Sequence, residues 1–406
     1  MPTLDEARRM IFARARTLGT ESVELIESLN LVTAEDIIAP WDMPLCDNSA
    51  MDGYAVRTAD CTPEARLRIA GTITAGAFSD IPVEPGCAIK IMTGAPIPSG
   101  ADAVVPFESA DADGEYVAFK SPVGYHEHVR LAGSDLRRNE NVIPMGTVIR
   151  APEISMMASF SMSRVTVFRR PRVAILSTGD ELVEVGQPVA PGKVVDSNGI
   201  SLAAMVKECG AIVQMLGIAR DTVASHIEKM TIGLQADLFI TSAGVSVGER
   251  DLVKQVLTGL GVSLEFHSVD VRPGGPTTFG VKGRCLVFCL PGNPVASMII
   301  FAELVKPAIF KAMGYRRVLQ PAVRAILQEN ASKRPGRTKL LRVRLKYNGD
   351  KLLAYSSGEQ TTGMLKTLLR ADGLAVLPAE RSSISAGEEV EVHVLSNNVL
   401  MHQEAI

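Results

Sequence analysis

Three glycine-rich loops in one stretch of the chain have the composition of an anion-binding site. They are Thr241-Ser-Ala-Gly-Val-Ser-Val-Gly248, Arg272-Pro-Gly-Gly-Pro276 and Leu290-Pro-Gly-Asn-Pro294. Glycine lets backbone N–H groups approach an anion closely, and a helix that starts just after such a loop adds its positive end. Each loop follows a short apolar run that is typical of a strand. Three such loops at one end of a parallel sheet predict a large site for a phosphorylated or otherwise anionic molecule.

The first loop also matches a hydrolase motif. Gly244-Val-Ser-Val-Gly248 has the form of the nucleophile elbow of α/β-hydrolases, with Ser246 as the nucleophile. A triad would need an acid and a histidine further along the chain, for instance Asp270 and His393. His393 falls in a predicted strand of another domain, however. A serine hydroxyl and glycine amides that hold an anion fit the same residues better, and the Ser246 hydrolase remains a rival hypothesis.

Acidic residues recur at predicted loop positions, and they are Asp52, Asp135, Glu181, Asp196, Asp221 and Asp251. A carboxylate beside an anion loop is unfavourable unless a hard cation such as Mg²⁺ bridges the two. Singly, each acid fits a turn or a helix cap. Together they suggest a metal–phosphate site. In the third loop, Asn293 is a good N-cap and Pro294 suits the first position of a helix.

The composition is that of an ordinary globular protein of more than one domain. The chain has 406 residues, of which 46% are hydrophobic and 21% charged, with a net charge of −3. This charge offers no electrostatic argument for binding nucleic acid or a membrane surface. The six cysteines have no zinc-ligand spacing, which favours reduced thiols in a cytoplasmic protein. Glu303 and Lys306 interrupt the longest apolar run, and Pro307 is expected to bend or break the helix there.

The secondary-structure elements that must position these residues fall into successive regions with different sequence patterns. A capping box over Thr3–Glu6 starts a helix, and a second helix is predicted from Val23 to Leu29. Short β-like runs cut by Gly and Pro extend from Ala39 to about His128. From Arg172 to Gly314 strands and helices alternate, which predicts a mostly parallel, doubly wound sheet. The chain from about Pro321 onward has the pattern of a separate β domain.

Several motifs occur in an order that resembles one known family. They are Asn48-Ser-Ala-Met-Asp-Gly-Tyr-Ala-Val56, Ile91-Met-Thr-Gly-Ala-Pro96, Gly100-Ala-Asp-Ala-Val-Val105, Ser177-Thr-Gly-Asp-Glu-Leu182, Asp196-Ser-Asn198, the Ser246 loop with Glu249 and Asp251, and Leu290-Pro-Gly-Asn-Pro294. Nearly the whole chain is covered. The sequence resembles the molybdopterin molybdenumtransferases, whose members include MoeA and the E domain of gephyrin.

The resemblance implies a multidomain α/β and β fold. Its expected parts are a discontinuous helical/extended linker domain over residues 1–38 plus 131–170, a β-rich second domain over 39–130, a central doubly wound, mostly parallel α/β molybdopterin-binding domain over 171–317, and a C-terminal β-barrel-like domain over 318–406. An elongated subunit that forms a homodimer is also implied. The family's active site lies between the α/β domain of one subunit and the β-rich domain of the other.

The resemblance also implies an activity and its residues. The family inserts molybdenum from molybdate into adenylylated molybdopterin and releases AMP, with Mg²⁺ assisting. Expected partners besides these substrates are the molybdopterin adenylyltransferase and the enzymes that receive the cofactor. The catalytic positions that match are Asp52, Thr93, Asp135, Glu181, Asp221 and Asp251, of which Glu181, Asp221 and Asp251 would hold Mg²⁺. The matching cofactor-binding positions are Gly244, Ser246, Gly248, Arg272, Gly274, Pro291, Gly292, Asn293 and Pro294.

The departures from the family pattern concentrate where molybdate should bind. The family usually has Lys-Pro-Gly-Lys-Pro at the second glycine loop, and here Arg272 and Gly275 replace the two lysines. Ser268 replaces an often basic residue, and Ala296 a serine. Losing a lysine should weaken anion binding by about 1–3 kcal/mol, and Arg342 is a candidate to compensate. These changes leave open an alternative: a divergent, non-catalytic paralogue that binds molybdopterin as a carrier, sensor or scaffold.

Overall fold

The computed structural model describes residues 1–74, 76, 80–242 and 252–395. The chain forms two compact units. The larger contains residues 1–34, 146–151 and the chain from Arg164 onward, and the smaller contains residues 35–145 and 152–163. The four domain boundaries given above stay predictions. No helix within the described ranges has both the length and the apolar character needed to cross a membrane.

The elements of the first part of the chain are α1 (Leu4–Arg14), β1 (Thr20–Glu24), β2 (Ile37–Ile38), β3 (Asn48–Ser49), β4 (Gly53–Val56), β5 (Leu67–Ile73), β6 (Cys87–Ile91), β7 (Ala103–Pro106), β8 (Ala110–Ala112), β9 (Tyr116–Phe119), β10 (Val129–Arg130), β11 (Asn141–Ile143), α2 (Ala151–Ser159) and β12 (Arg164–Phe168). Short 3₁₀ turns cover Leu25–Ser28, Thr58–Asp60 and Phe107–Ser109.

The elements of the α/β region are β13 (Arg172–Thr178), β14 (Leu182–Val183), β15 (Val194–Val195), α3 (Ser197–Glu208), β16 (Ile212–Ala219), α4 (Val223–Gly233), β17 (Leu238–Ser242), α5 (Leu252–Gly259), β18 (Ser263–Phe266), β19 (Val271–Arg272), β20 (Thr278–Lys282), β21 (Cys285–Leu290), α6 (Pro294–Ile300), a π-helical turn (Phe301–Val305) and α7 (Lys306–Ala312). Those of the C-terminal region are β22 (Ala322–Leu327), β23 (Ala331–Ser332), β24 (Thr338–Asn348), β25 (Lys351–Ser356), α8 (Lys366–Leu369), β26 (Gly373–Leu377), β27 (Ser383–Ile384) and β28 (Glu389–Val394).

A six-stranded sheet forms the centre of the α/β region, with the strand order β16-β13-β17-β21-β20-β18. The first four strands are parallel, and β20 is antiparallel to both of its neighbours. Every residue of β17 and β21 is buried, as expected for strands covered on both faces. The predicted doubly wound, mostly parallel domain is confirmed.

Capping side chains set where the helices of the larger unit begin. Thr3 and Glu6 form the predicted capping box at α1. The Asp196 carboxylate accepts from the Gly199 N–H at the start of α3, and Thr222 caps α4. Each such cap contributes about 1 kcal/mol to helix stability. As a result α3 and α4 start in the loops that follow β15 and β16.

The C-terminal region is a closed barrel. The strands β24, β25, β22, β28 and β26 pair in that order, and β26 pairs back with β24. This confirms the predicted β-barrel-like domain. The short strand β19 extends the barrel sheet by pairing in parallel with β24. The second glycine loop therefore starts from the barrel sheet and not from the edge of the α/β sheet, contrary to the sequence prediction, because residues 271–272 cross from one sheet to the other.

The smaller unit is built on a six-stranded sheet with the order β7-β4-β6-β5-β9-β8. Its core is formed by alternate residues of these strands, including Tyr54, Val56, Ala88 and Val105. The β-rich domain predicted from this part of the sequence is confirmed.

The prediction of a helix from Val23 to Leu29 is wrong. Residues Thr20–Glu24 form strand β1, and a 3₁₀ turn follows it. Strand β1 pairs antiparallel with β12 along its whole length, with Val23 opposite Val165. Backbone hydrogen bonds to a distant segment thus outweigh the weak local helical periodicity.

Candidate functional site

The carboxyl ends of β13, β17 and β21 lie side by side at one edge of the α/β sheet. Their last residues are Thr178, Ser242 and Leu290. Asn198, in the first turn of α3, connects two of these ends. Its Nδ2 donates to Ser242 Oγ at 2.8 Å and to the Gly292 carbonyl at 2.7 Å. Asn198 therefore fixes the third glycine loop against the end of β17.

Several polar atoms at this edge are buried without a hydrogen-bond partner in the part of the chain that the structure describes. They are Ser177 Oγ, Asn198 Oδ1, Thr241 Oγ1 and Ser297 Oγ. A buried polar atom left without a partner costs roughly 1–3 kcal/mol, and native proteins contain few of them. The cluster indicates a place where bound water or a polar ligand supplies the missing partners.

The third glycine loop has the geometry predicted for it. Asn293 Oδ1 accepts from the N–H groups of Val295 and Ala296, at 3.1 and 3.3 Å, and Pro294 stands in the first turn of α6. Ala296 is buried, so its methyl group adds no polar contact where the family usually has a serine. The predicted N-cap is confirmed, and the exposed residue of the loop is Gly292.

Two of the predicted acids follow neighbouring parallel strands. Glu181 comes after β13 and Asp221 after β16. Asp180 links the two loops, because its N–H donates to Asp221 Oδ2 at 3.3 Å and the Asp221 N–H donates to Asp180 Oδ1 at 3.2 Å. The Glu181 carboxylate folds over Gly179, where a Cβ atom would overlap it.

The donor set around Glu181 and Asp221 suits Mg²⁺ bound together with a phosphate. Mg²⁺ keeps several waters and is commonly held by one or two carboxylates plus substrate phosphate oxygens. Among residues 1–74, 76, 80–242 and 252–395 there is no group of three His, Cys, Asp or Glu side chains that could hold a metal ion. A Mg²⁺ ion bound by Glu181 or Asp221 would therefore need further ligands, such as phosphate oxygens of a substrate or residues outside the described ranges.

In the second glycine loop, Gly274 is required by the backbone. Its φ is +109°, and a Cβ atom there would overlap the side chain of Ile300. Thr277 Oγ1 donates to the Gly274 carbonyl at 2.6 Å and holds the turn. Arg272, which precedes the turn, is exposed and stands opposite Lys339 in the β19–β24 pair.

A basic basin lies where β19 meets the barrel. Its cationic residues are Arg272, Lys333, Arg334, Arg337, Lys339 and Arg342. The first five line a cavity of about 700 Å³, and Lys339 and Arg342 line an adjoining one of about 210 Å³. Burial lowers the pKa of Lys339, and repulsion from Arg272, Arg342 and Lys333 lowers it further. The basin therefore has a positive electrostatic potential, and a bound anion would reduce the repulsion among its cations.

Arg342 is the most deeply placed cation of the basin. It is fully buried, and its Nη2 donates to the carbonyls of Glu359 and Thr361, both at 3.1 Å. Its Nε and Nη1 have no partner among the described residues. Burial lowers the pKa of this guanidinium. A buried cation with unpartnered N–H groups is suited to receive an oxyanion.

In the smaller unit, Asp52 and Thr93 are in contact although 41 residues separate them. Asp52 Oδ1 accepts from the Thr93 N–H at 2.6 Å and from Thr93 Oγ1 at 2.8 Å. These hydrogen bonds lower the pKa of Asp52, whose carboxylate is exposed. Asp135 is exposed in the turn after β10, and its N–H donates to the Met43 carbonyl. In the described part of this unit, its side chain makes no hydrogen bond to Asp52 or Thr93.

Four predicted site residues, Gly244, Ser246, Gly248 and Asp251, lie outside the described residues. Their roles stay predictions.

The suggested triad partners of Ser246 are engaged elsewhere. His393 Nδ1 lies 3.0 Å from both carboxylate oxygens of Glu303, and its Nε2 lies 3.2 Å from Glu391 Oε1. Asp270 Oδ1 lies 3.5 Å from Arg337 Nε. A general base needs a free ring nitrogen toward its nucleophile. The contacts of His393 therefore argue against the hydrolase hypothesis.

The residues that sequence reasoning missed are Asn198, Asp180 and the cations of the basin other than Arg272 and Arg342. Asn198 belongs to a motif that was identified in the sequence. Its side-chain hydrogen bonds, however, reach two distant segments, at Ser242 and Gly292. The Lys333-Arg-Pro-Gly-Arg337 turn was visible as a basic cluster. Only its position beside Arg272 gives that cluster a function.

Comparisons with known proteins agree along the whole chain. Three family profiles match in succession: the MoeA N-terminal region (domain I and II) over residues 2–161, a probable molybdopterin binding domain over residues 174–311 and the MoeA C-terminal region (domain IV) over residues 324–395. A molybdopterin molybdenumtransferase of Haemophilus influenzae is 36% identical over 399 residues, with 97% of this chain and 98% of the relative covered.

A second relative and a solved structure support the same assignment. Molybdopterin molybdenumtransferase 2 of Mycobacterium tuberculosis is 32% identical over 405 residues, with 97% of this chain and 99% of the relative covered. The crystal structure of the molybdopterin biosynthesis moeA protein from Pyrococcus horikoshii OT3 superimposes with a TM-score of 0.84 at 28% identity, with 97% and 100% of the two chains covered. The resemblance drawn from the motifs is confirmed, and this chain belongs to the molybdopterin molybdenumtransferase family.

Proposed function

We propose that this protein inserts molybdenum from molybdate into adenylylated molybdopterin and releases AMP. Relatives named for molybdenum transfer to molybdopterin match it over nearly their full length, which supports a transferase. In the proposed reaction an oxygen of water or of molybdate attacks the anhydride between the pterin phosphate and AMP. That P–O bond breaks, AMP leaves, the pterin keeps its own phosphate, and the metal becomes bound to the pterin. Such a site must bind an oxyanion and a phosphorylated pterin next to each other.

The observation that carries the proposal is the unsatisfied guanidinium of Arg342. Molybdate is a tetrahedral oxyanion, and it can accept hydrogen bonds from guanidinium N–H groups that have no other partner. Removing an unpaired cation from water is unfavourable by several kcal/mol. An oxyanion bound at this guanidinium offsets that cost and would account for a fully buried arginine with two nitrogens that have no partner among the described residues.

The edge of the α/β sheet supplies the groups for the pterin phosphate. Asn198, Ser177, Thr241 and Ser297 offer polar atoms that lack partners in the described structure. The proposal assigns pterin contacts to the glycine loops beside them. The loop residues concerned are Gly244, Ser246, Gly248, Arg272, Gly274, Pro291, Gly292, Asn293 and Pro294.

We further propose that Glu181, Asp221 and Asp251 hold Mg²⁺ at this edge. Bound there, the ion would neutralise charge on the phosphate oxygens of the anhydride. Asp180 keeps Asp221 in place through the reciprocal hydrogen bonds described above. Asp52, Thr93 and Asp135 remain the proposed catalytic residues of the β-rich region. A cytoplasmic homodimer that receives its substrate from the adenylyltransferase and serves molybdoenzymes completes the proposal.

An activity assay with matched variants tests the function. Purified protein is incubated with adenylylated molybdopterin, Mg²⁺ and molybdate, while AMP and the finished cofactor are quantified. Arg342→Gln should raise the apparent KM for molybdate roughly ten- to hundredfold, the effect of about 1.5–3 kcal/mol from hydrogen bonds to a charged group. Arg344→Gln is the control, because Arg344 lies two residues away on the same strand and is exposed.

Each outcome of this assay has a defined meaning. AMP release that depends on molybdate and falls in Arg342→Gln but not in Arg344→Gln supports the proposal. Tight pterin binding by the wild-type protein without AMP release at any molybdate concentration would favour the non-catalytic carrier, sensor or scaffold. Arg342→Lys keeps the charge without the fork, and it should recover only part of the molybdate affinity. This second variant separates oxyanion binding from loss of the barrel fold, which circular dichroism monitors.

A further inference from the structure

Gly275 is buried beside the basic basin, and a terminal nitrogen of Arg337 lies next to it. A Cβ atom built on Gly275 would stand 3.5 Å from Arg337 Nη1 and 3.4 Å from the Val271 carbonyl oxygen. These are ordinary contact distances, so the position accepts a Cβ atom sterically. The side-chain atom nearest to that Cβ position is Nη1 of Arg337.

The pairing of β19 with β24 fixes Arg337 in this position. Val271 stands opposite Thr338 in that parallel pair, so the residues just before them, Asp270 and Arg337, are brought together. The Thr338 N–H donates to the Asp270 carbonyl at 3.3 Å, and Arg337 Nε lies 3.5 Å from Asp270 Oδ1. Asp270 thus holds the guanidinium by its Nε side only.

The terminal nitrogens of Arg337 remain available to a ligand. In the described ranges of the chain they make no hydrogen bond, and 56% of the side chain is exposed. Two neighbouring lysines are engaged through backbone oxygens: Lys333 Nζ donates to the Ala379 carbonyl and Lys339 Nζ to the Ser332 carbonyl, both at 3.0 Å. Arg337 therefore combines a backbone position set by strand pairing with donors that have no partner in the described structure, and it lines the cavity.

We propose that Arg337 is an oxyanion-binding residue of the basin, which supplies from the barrel the positive charge that position 275 does not provide. The inference rests on the proposed function for the identity of the anion as molybdate. The charge arrangement itself would serve any tetrahedral oxyanion of that size. A lysine at position 275 and an arginine at position 337 are thus alternative ways to place one cation at one point.

A set of substitutions tests whether the charge of Arg337 takes the place of a charge at position 275. Isothermal titration with molybdate, and separately with sulfate, is performed on the full chain without pterin. Arg337→Ala should weaken molybdate binding roughly tenfold, the effect of one charge-assisted hydrogen bond. Arg344→Ala is the control, because Arg344 is exposed on β24 and is not among the residues that line either cavity of the basin. Its loss should change the affinity by less than threefold, which corresponds to about 0.65 kcal/mol.

The decisive variant is the double substitution. Gly275→Lys in the Arg337→Ala background should restore most of the lost affinity, because the lysine then places its charge where the guanidinium was. Gly275→Ala in the same background should restore nothing. Equal affinities of Arg337→Ala and Arg344→Ala, or a double variant that binds no better than Arg337→Ala, would overturn the inference.

The titrations involve no turnover, so their outcome is independent of the catalytic proposal. A protein that releases no AMP but loses oxyanion affinity in Arg337→Ala retains this inference and loses the proposed function. A protein that releases AMP with an unchanged molybdate KM and an unchanged affinity in Arg337→Ala retains the function and loses the inference. Wild-type protein that binds neither anion overturns the inference regardless of its activity.

Discussion

The contact between Asp52 and Thr93 shows how one residue can set the ionisation of another. Two donors of a single threonine, its backbone N–H and its hydroxyl, point at one carboxylate oxygen. Hydrogen bonds to the charged form of a carboxyl favour that form and lower its pKa. Asp52 is therefore a carboxylate throughout the pH range in which an ordinary aspartate ionises, where it can contact a cation.

Replacing Thr93 should move the pKa of Asp52. In Thr93→Val the hydroxyl is lost and the backbone N–H remains, so we expect the pKa to rise part of the way toward its usual value of 3.8. Thr93→Ser keeps both donors and should leave the pKa close to that of the wild-type protein. Carbon-detected NMR of aspartate-labelled protein over the acidic range measures the change. Identical titration curves in all three proteins would show that the hydroxyl does not contact Asp52.

Single residues of the site could be predicted from the sequence only in part. Asn293 was predictable as an N-cap because capping is a local interaction over three residues. Asp52 and Thr93 were identified through the resemblance to a family, since no local rule links residues so far apart in the chain. Asn198 was missed because its role depends on the strands that end beside it. Arg342 was a candidate by charge, but its burial and its free nitrogens follow only from closure of the barrel.

The second glycine loop illustrates an element whose shape depends on one residue. At Gly274 the positive φ is strained for any other residue, and a Cβ atom would overlap Ile300 in α6. At the next position, Gly275 has room for a Cβ atom at contact distance. The two adjacent glycines of one motif therefore differ in what the fold requires of them. Gly274 is needed for the turn and its packing, whereas position 275 has no steric requirement for glycine.

Alanine substitutions at these neighbours should therefore have unequal effects. Gly274→Ala combines backbone strain with overpacking, which together should lower the free energy of unfolding by about 2–5 kcal/mol. Gly275→Ala should change it by less than about 0.5 kcal/mol, as for a substitution without strain or overlap. Urea unfolding followed by fluorescence or circular dichroism measures both. Equal losses in the two variants would contradict the assigned difference between the glycines.

At the level of elements, the long strands and helices were predictable and the short crossings were not. The parallel strands of the α/β sheet have continuous apolar runs, and the barrel strands alternate clearly, so both were predicted. Strand β19 has only two residues, Val271 and Arg272, and no periodicity can assign two residues to a sheet. Val23 and Glu24 were assigned to a helix because the strand that pairs with them lies about 140 residues further along the chain.

The larger unit contains a buried ionic network that joins three distant segments. Arg8 of α1 forms an ion pair and a hydrogen bond with the fully buried Glu303 in the π-helical turn. His393 of β28 contacts the same carboxylate at 3.0 Å. Pro307 has no N–H to donate to the Glu303 carbonyl four residues earlier, and Arg8 Nε donates to that carbonyl at 3.2 Å. The proline that was expected to interrupt the helix thus leaves an acceptor for the N-terminal helix.

This network ties the N-terminal helix, the α/β region and the barrel to one carboxylate. Further charges face it from outside: Asp5 lies 2.9 Å from Arg8, Glu391 lies 3.2 Å from His393, and Arg324 lies 3.9 Å from Glu391. Burial alone would lower the pKa of His393, but the hydrogen bond and attraction of Glu303, aided by Glu391 and opposed by Arg8, raise it overall. The protonated imidazole is therefore the form that the folded state favours.

The stability of the larger unit should consequently depend on pH through His393. Because the folded pKa is raised above the ordinary value of 6.5, the stabilisation is complete below that value and is lost as the pH rises through the folded pKa. Each unit of difference corresponds to about 1.4 kcal/mol. His393→Gln should remove this part of the pH dependence. The difference in free energy of unfolding between this variant and the wild-type protein should therefore be smaller at alkaline pH than below pH 6.5. The exposed His267 makes no ring contact within the described residues, so His267→Gln serves as the control and should follow the wild-type curve. Urea unfolding from about pH 5 to pH 9 tests this, and a His393→Gln curve parallel to the wild-type curve would show that the stability does not depend on protonation of this histidine.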